Sequence, residues 1–139
     1  MSRINRVAWF ILLFFATLML AACGARPETS LAGTSWRLLF LNGEAPIPGT
    51  EITAQFDAEQ ILGTAGCNSY QANYEQNDGR LAVLDFVTTE VFCEEPAGVM
   101  DQEGQYMALM LGADRFQIQD DQLTLRTSDG ETLVFERQQ

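Results

Sequence analysis

From Ser35 onward the chain alternates apolar and polar residues in short runs, and each run stops at turn-forming residues. A period of two belongs to strands with one buried face, so the pattern restricts the chain to a mainly β design. Trp36, Leu38 and Phe40 alternate with Ser35, Arg37 and Leu39 and end at Asn42-Gly43. Ile52, Ala54 and Phe56 form a second such face, and Tyr70, Ala72 and Tyr74 a third. Asn77-Asp78-Gly79 is a turn before a strand over Arg80 to Phe86, and Val87, Thr89, Val91 and Cys93 continue on one side. Breaks at Asp120-Asp121 and Ser128-Asp129-Gly130 divide the remaining residues into a meander carrying Phe116 and Ile118, Leu123 and Leu125, and Leu133 and Phe135.

One segment departs from this period. Over residues 96–111, Val99/Met100, Tyr106/Met107 and Met110/Leu111 recur at helical spacing. Pro96 suits a first turn, Glu94 and Glu95 complement its positive end, and Gly112 suits its termination. The methionines on this segment are expected to pack as core against a curved sheet, a binding face being the alternative.

The chain before these strands has a different character. Arg3 and Arg6 precede Val7 to Leu20, a run that is apolar except for Thr17. This is the anatomy of an export signal, and the run is shorter than the roughly 20 apolar residues a spanning helix needs. Ala21 and Ala22 mark a cleavage site, and Cys23 directly after them resembles the lipobox of bacterial lipoproteins. That resemblance implies diacylglycerylation of the Cys23 thiol, cleavage before Cys23, acylation of the new amino terminus with a palmitate-type chain, and anchoring to a membrane through those chains. An ordinary secretory signal with an incidental cysteine is the alternative. Residues 1–22 therefore read as a signal peptide, 23–31 as a lipidated cysteine and tether, and 32–139 as one domain.

Removing residues 1–22 takes away two of the eight arginines and no acid, so the net charge moves from −11 to −13. Such a balance argues against a nucleic-acid partner and against binding anionic lipid through a basic patch. Cys67 and Cys93 are the cysteines left in the exported part. In an oxidising compartment the pair reads as a disulfide, with two buried thiols that never meet as the alternative. Two thiolates without histidine do not complete a zinc site, so no metal or cofactor is expected.

Three blocks resemble the META domain, the family that includes the HslJ-like heat-inducible lipoproteins. They are Leu31-Ala32-Gly33-Thr34-Ser35-Trp36-Arg37-Leu38 with Asn42-Gly43; Gly63-Thr64-Ala65-Gly66-Cys67-Asn68-Ser69-Tyr70 with Tyr74; and Thr88-Thr89 and Cys93 followed by Met100-Asp101-Gln102-Glu103 and Tyr106. The resemblance implies a small curved antiparallel sheet or partly open β-barrel packed on one helix. It also implies a place in the cell envelope, an association with stress or antibiotic tolerance, and no established enzymatic activity. Gly63 and Gly66 read as a bulge or sharp bend. A bridge from Cys67 to Cys93 would then pin the sheet to the helix start.

The chain contains no histidine and no lysine, which removes Ser-His-Asp, Cys-His, Ser-Lys and Schiff-base chemistry. The expected function is that of a non-catalytic, monomeric, lipid-anchored envelope module that binds a protein or an apolar ligand. Asn68, Tyr70 and Tyr74 are its candidate contacts, with Asn68 read first as a side chain that satisfies the turn beside the Gly63/Gly66 bend, and Trp36 and Phe40 are further aromatic candidates whose more ordinary place is the core. Gly24 after the lipidated cysteine favours the outer membrane, facing the periplasm, if two membranes are present, and otherwise the outer face of the plasma membrane. Alternatives from other classes are a protease inhibitor using the stretch Phe92 to Gly98, and a hydrolase built on paired acids.

Overall fold

Turn residues divide residues 30–139, which the computed structural model describes, into eight strands and one helix. The order is β1 (Thr34–Leu41), β2 (Thr53–Phe56), β3 (Gln60–Thr64), β4 (Ser69–Asn77), β5 (Arg80–Thr88), α1 (Val99–Gly112), β6 (Ala113–Gln119), β7 (Gln122–Thr127) and β8 (Thr132–Arg137). Residues 1–29, with the expected signal peptide, Cys23 and most of the tether, lie outside the described residues.

Every strand pairs antiparallel with its neighbour in sequence, and β8 returns to pair with β1, closing a barrel. The turns follow from their residues. Asn42 and Gly43 carry φ of 48° and 88°, and Asp78 and Gly79 carry 47° and 78°, the pair of positive values that a two-residue hairpin needs to match strand twist. Inward-facing residues fill the interior, as expected of a barrel this narrow. Trp36, Phe56, Tyr106 and Phe135 are fully buried there, and the Tyr106 ring meets Phe135 edge-on at 6.5 Å.

The seam between β5 and β6 is the shortest, with Arg80 opposite Arg115 as its registered pair. The chain leaves the sheet after β5 and returns as β6, and α1 fills that crossing, packing against β5, β7 and β8. Two rims result. One carries Leu31, the β4–β5 turn and the chain end, where the Gln138 N–H donates to Ser35 O and the Leu31 N–H to Gln76 Oε1. The other carries the β1–β2 and β3–β4 connections and is capped by α1. Among the described residues no helix is long and apolar enough to cross a membrane.

The mainly β barrel on one helix is therefore as expected, with local differences that have identifiable causes. The register of β1 against β8 shifts between Leu38 and Phe40. This bulge absorbs one residue and reverses the alternation, so Phe40 is 42% exposed and Leu41 takes the inward place. A second shift lies between Gln71 and Asn73 opposite β5, where Asp85 has φ 51°. Beyond Thr88 the chain quits the sheet, so Val87, Thr89, Val91 and Cys93 do not form one strand face. The helix begins at Val99, not Pro96, because Gly98 at φ 87° turns the chain into it; Gly112 does end it. Met110 is core, whereas Met100 and Met107 are half-buried.

The two glycines of the second block do different things. Gly66, at φ 108°, makes the turn, but Gly63 lies in regular pairing opposite Tyr70. A Cβ at Gly63 would stand 2.0 Å from Thr53 O and 2.8 Å from the Tyr70 ring, so glycine there permits a close approach between strands.

Candidate functional site

The second and third sequence blocks meet at the helix-capped rim. Gly66 reverses the chain between β3 and β4 and turns the backbone N–H groups of Cys67 and Asn68 toward α1. Both donate to Glu103 Oε2, at 3.2 Å and 2.7 Å, and Asn68 Nδ2 donates to Glu103 Oε1 at 2.7 Å. The same Nδ2 donates to Val91 O at 2.9 Å, while Asn68 Oδ1 accepts from Thr89 Oγ1 at 2.6 Å and from Val91 N–H at 2.8 Å. A side-chain amide offers two donors and two acceptor positions, and Asn68 uses all of them within the protein. It is 3% exposed, as is Glu103. Gln102, next to Glu103 on the helix, performs the equivalent task for the β1–β2 connection: Oε1 accepts from Ile47 N–H at 2.6 Å and Nε2 donates to Thr50 Oγ1 at 3.0 Å.

Cys67 and Cys93 are bonded, with Cα atoms 6.0 Å apart. The segment 89–93 is thus held to the β3–β4 turn by a covalent bridge and by both ends of the Asn68 amide. The hydrogen bonds place Val91 against Asn68 through its backbone, which leaves its side chain outside. Phe92 is 75% exposed, Val87 61% and Val91 56%. Three large apolar side chains on one braced rim are unlike singly scattered surface residues.

Tyr70 and Tyr74 lie elsewhere. The Tyr70 ring is buried and stacks on Phe86 at 4.8 Å; its hydroxyl donates to Thr53 O at 2.9 Å and shares a 2.7 Å hydrogen bond with the Tyr106 hydroxyl. Burial pushes both phenols well above the ordinary tyrosine range, and for Tyr106 the neighbouring Tyr70 adds to the rise. Tyr74 packs edge-on against Phe56 at 5.2 Å, and its hydroxyl donates to Asp57 O at 2.7 Å. Its phenol is also raised, first by burial and then by the Asp57 carboxylate. Asn68, Tyr70 and Tyr74, the contacts expected from sequence, therefore spend their polar atoms inside the domain, and Trp36 is fully buried.

Between α1 and the β1–β2 connection lies a cleft of about 190 Å³, lined by Leu41, Ile47, Gly98, Asp101 and Gln105 among others and by none of the aromatic candidates. Among the described residues, no three Cys, Asp or Glu side chains converge as metal ligands would. Gln102 and Glu103 are the residues whose roles the sequence did not disclose. Their signal was two adjacent polar residues within the apolar stripe of a helix, a position that needs buried partners.

The chain matches the META domain over residues 29–139. Among solved structures it is similar to the NMR structure of a protein from Burkholderia xenovorans, with 28% identity and a TM-score of 0.65 over 78% of this chain and 83% of that one. A second NMR structure, 19% identical, shares the fold with a TM-score of 0.61 over 75% of this chain and 88% of the other. No curated protein matches the chain.

Proposed function

The chain belongs to the META domain family, and from that premise we propose that it is a non-catalytic, lipid-anchored module of the cell envelope that binds a protein partner through its helix-capped rim. The observation that carries this reading is Phe92, three-quarters exposed on a segment braced by the Cys67–Cys93 bridge and by Asn68. An exposed aromatic held in place loses little freedom on binding, which is what makes rigid anchors effective at interfaces.

Size favours a protein over an apolar small molecule. Pockets that enclose drug-sized ligands run to about 300–1,000 Å³, and the cleft beside α1 has about 190 Å³. Topology agrees. Leu31, where the tether would enter, is on the rim opposite Phe92. With acyl chains on Cys23, β1 alone would set the two rims about 25 Å apart at 3.3 Å per residue, and the apolar rim would face away from the membrane. Support of envelope integrity under stress or antibiotic exposure is the role this reading assigns.

The test is a photo-crosslinking residue at position 92 in the native host, with a control at Gln122 on the tether-side rim. A defined adduct at 92 that is absent at 122, and that is lost when Phe92→Ser is combined with a crosslinker at Val87, supports the reading. Equal patterns at 92 and 122 refute it. Mass spectrometry of the anchored material checks acylation of Cys23.

The second reading is a protease inhibitor, favoured by the exposed Glu94 and Glu95 that directly follow the braced segment. It requires stoichiometric inhibition of an envelope protease that changes at Glu94-Glu95-Pro96 abolish.

A further inference from the structure

The described part of the chain has five arginines, and they are treated in two ways. Arg37 pairs with the Glu136 carboxylate, and Arg137 pairs with Asp121 and lies 4.4 Å over the Trp36 ring. Arg80, Arg115 and Arg126 have no carboxylate partner among the described residues. These three stand in one row across adjacent strands: Arg80 of β5 is opposite Arg115 of β6, and Arg115 is opposite Arg126 of β7. Directly opposed residues share a face of the sheet. Leu81, Phe116 and Leu125 next to them in sequence point into the core, so all three arginines point outward, and all are exposed.

Like charges directly opposite each other across strands destabilise a sheet. This chain has nineteen acids, and none of those among the described residues is used to relieve the row. A groove of about 350 Å³ runs along the row, lined by Arg115 and Arg126 with Gln117, Thr124 and Gly79, and Arg80 follows Gly79 at its edge. Asp78 also lines the groove and is ion-paired to none of them. Arg126 Nη1 donates to Gly130 O at 3.4 Å, which leaves the rest of its fork open.

We propose that this face of β5, β6 and β7 is a binding site for a small polyvalent oxyanion, such as a diphosphate or a short dicarboxylate. Guanidinium forks donate two parallel N–H bonds to the paired oxygens of phosphate or carboxylate. Neighbouring forks stand about 5 Å apart at strand spacing, so two oxyanion groups at that separation engage two arginines together. Gln117 and Thr124 supply neutral hydrogen-bonding groups beside them. In a domain of strongly negative charge, a local positive row also selects where an anion settles. The site is separate from the Phe92 rim, and it stands whether or not that rim binds a protein.

The test is a titration of the full chain in neutral detergent with pyrophosphate and, in a second arm, succinate, each against chloride at matched ionic strength. Arginine Nε–Hε NMR signals are followed. Saturable shifts at Arg80, Arg115 and Arg126 with Arg37 and Arg137 unmoved support the site, and the tighter arm identifies the chemistry. Arg115→Thr should weaken binding about tenfold or more while raising the Tm, because it removes the repulsion. Arg126→Gln should repeat the binding loss, so a folding defect in one variant leaves the other informative. Shifts that never saturate, that move all five arginines together, or that survive both substitutions overturn the proposal.

Discussion

Replacing Asn68 by alanine tests whether the rim is held as described. The substitution deletes four side-chain hydrogen bonds, to Val91 O and Glu103 Oε1 and from Thr89 Oγ1 and Val91 N–H. A neutral hydrogen bond contributes about 1 kcal/mol net and one to a charged group about 1.5–3 kcal/mol, so the total is about 4–6 kcal/mol. Thr89 is exposed and its hydroxyl can turn to water, whereas the Glu103 oxygen remains buried. The expected cost is therefore about 3–4 kcal/mol, a large share of the 5–15 kcal/mol typical of a domain. Urea unfolding followed by tryptophan fluorescence, with the disulfide intact, measures it. Hydrogen exchange adds a local readout, because the Val91 amide should lose protection more than amides of β7 and β8. A loss below about 1 kcal/mol at unchanged m-value, or an unaffected Val91 amide, would refute the reasoning.

Other expectations follow from single features. Gly63→Ala places a Cβ 2.0 Å from Thr53 O and should cost more than about 2 kcal/mol, since backbone must move; a neutral result in thermal melts would contradict the close approach. Removing the bridge as Cys67→Ser/Cys93→Ser, the cysteines being 26 positions apart in sequence, should cost about 3.5 kcal/mol by the chain-entropy estimate, read from urea midpoints with and without reductant. The β1 bulge predicts that Leu41→Ala costs about 2–5 kcal/mol and Phe40→Ala less than about 1, the reverse of simple alternation. All three tyrosines have raised values in the folded chain, so below about pH 10 their contribution to stability is fully present. Above it the unfolded chain loses protons that the folded chain keeps, and stability should fall by about 1.4 kcal/mol per pH unit for each of Tyr70 and Tyr106, the two most deeply raised. Tyrosinate absorbance appearing at about pH 10 without unfolding would refute the burial argument.

What could be read from sequence was what local period encodes. Runs such as Leu123 and Leu125 or Leu133 and Phe135 place one face inward regardless of partner, and Asn42-Gly43 and Asn77-Asp78-Gly79 carry their own turn geometry. The exchange of Phe40 for Leu41 depends on a bulge against β8, a strand that begins 91 positions after β1 ends, and no local signal discloses it. The site was less legible still. From sequence Asn68 reads as a turn-satisfying side chain or a contact, and nothing local says which groups it satisfies. Only the fold brings Glu103, 35 positions later, against its amide. The arginine row is invisible for the same reason, since it exists only in the registers of β5, β6 and β7.

The pairing of β1 with β8 has a consequence for how the protein is made. The first strand to emerge during synthesis waits for the last, and until Thr132–Arg137 arrives both β1 and β7 present open hydrogen-bonding edges of the kind that recruit other chains. A nascent polypeptide cut short anywhere before residue 132 is thus a sticky ribbon instead of a smaller version of the finished product, and its quality depends on the codons for residues 132–137 being read.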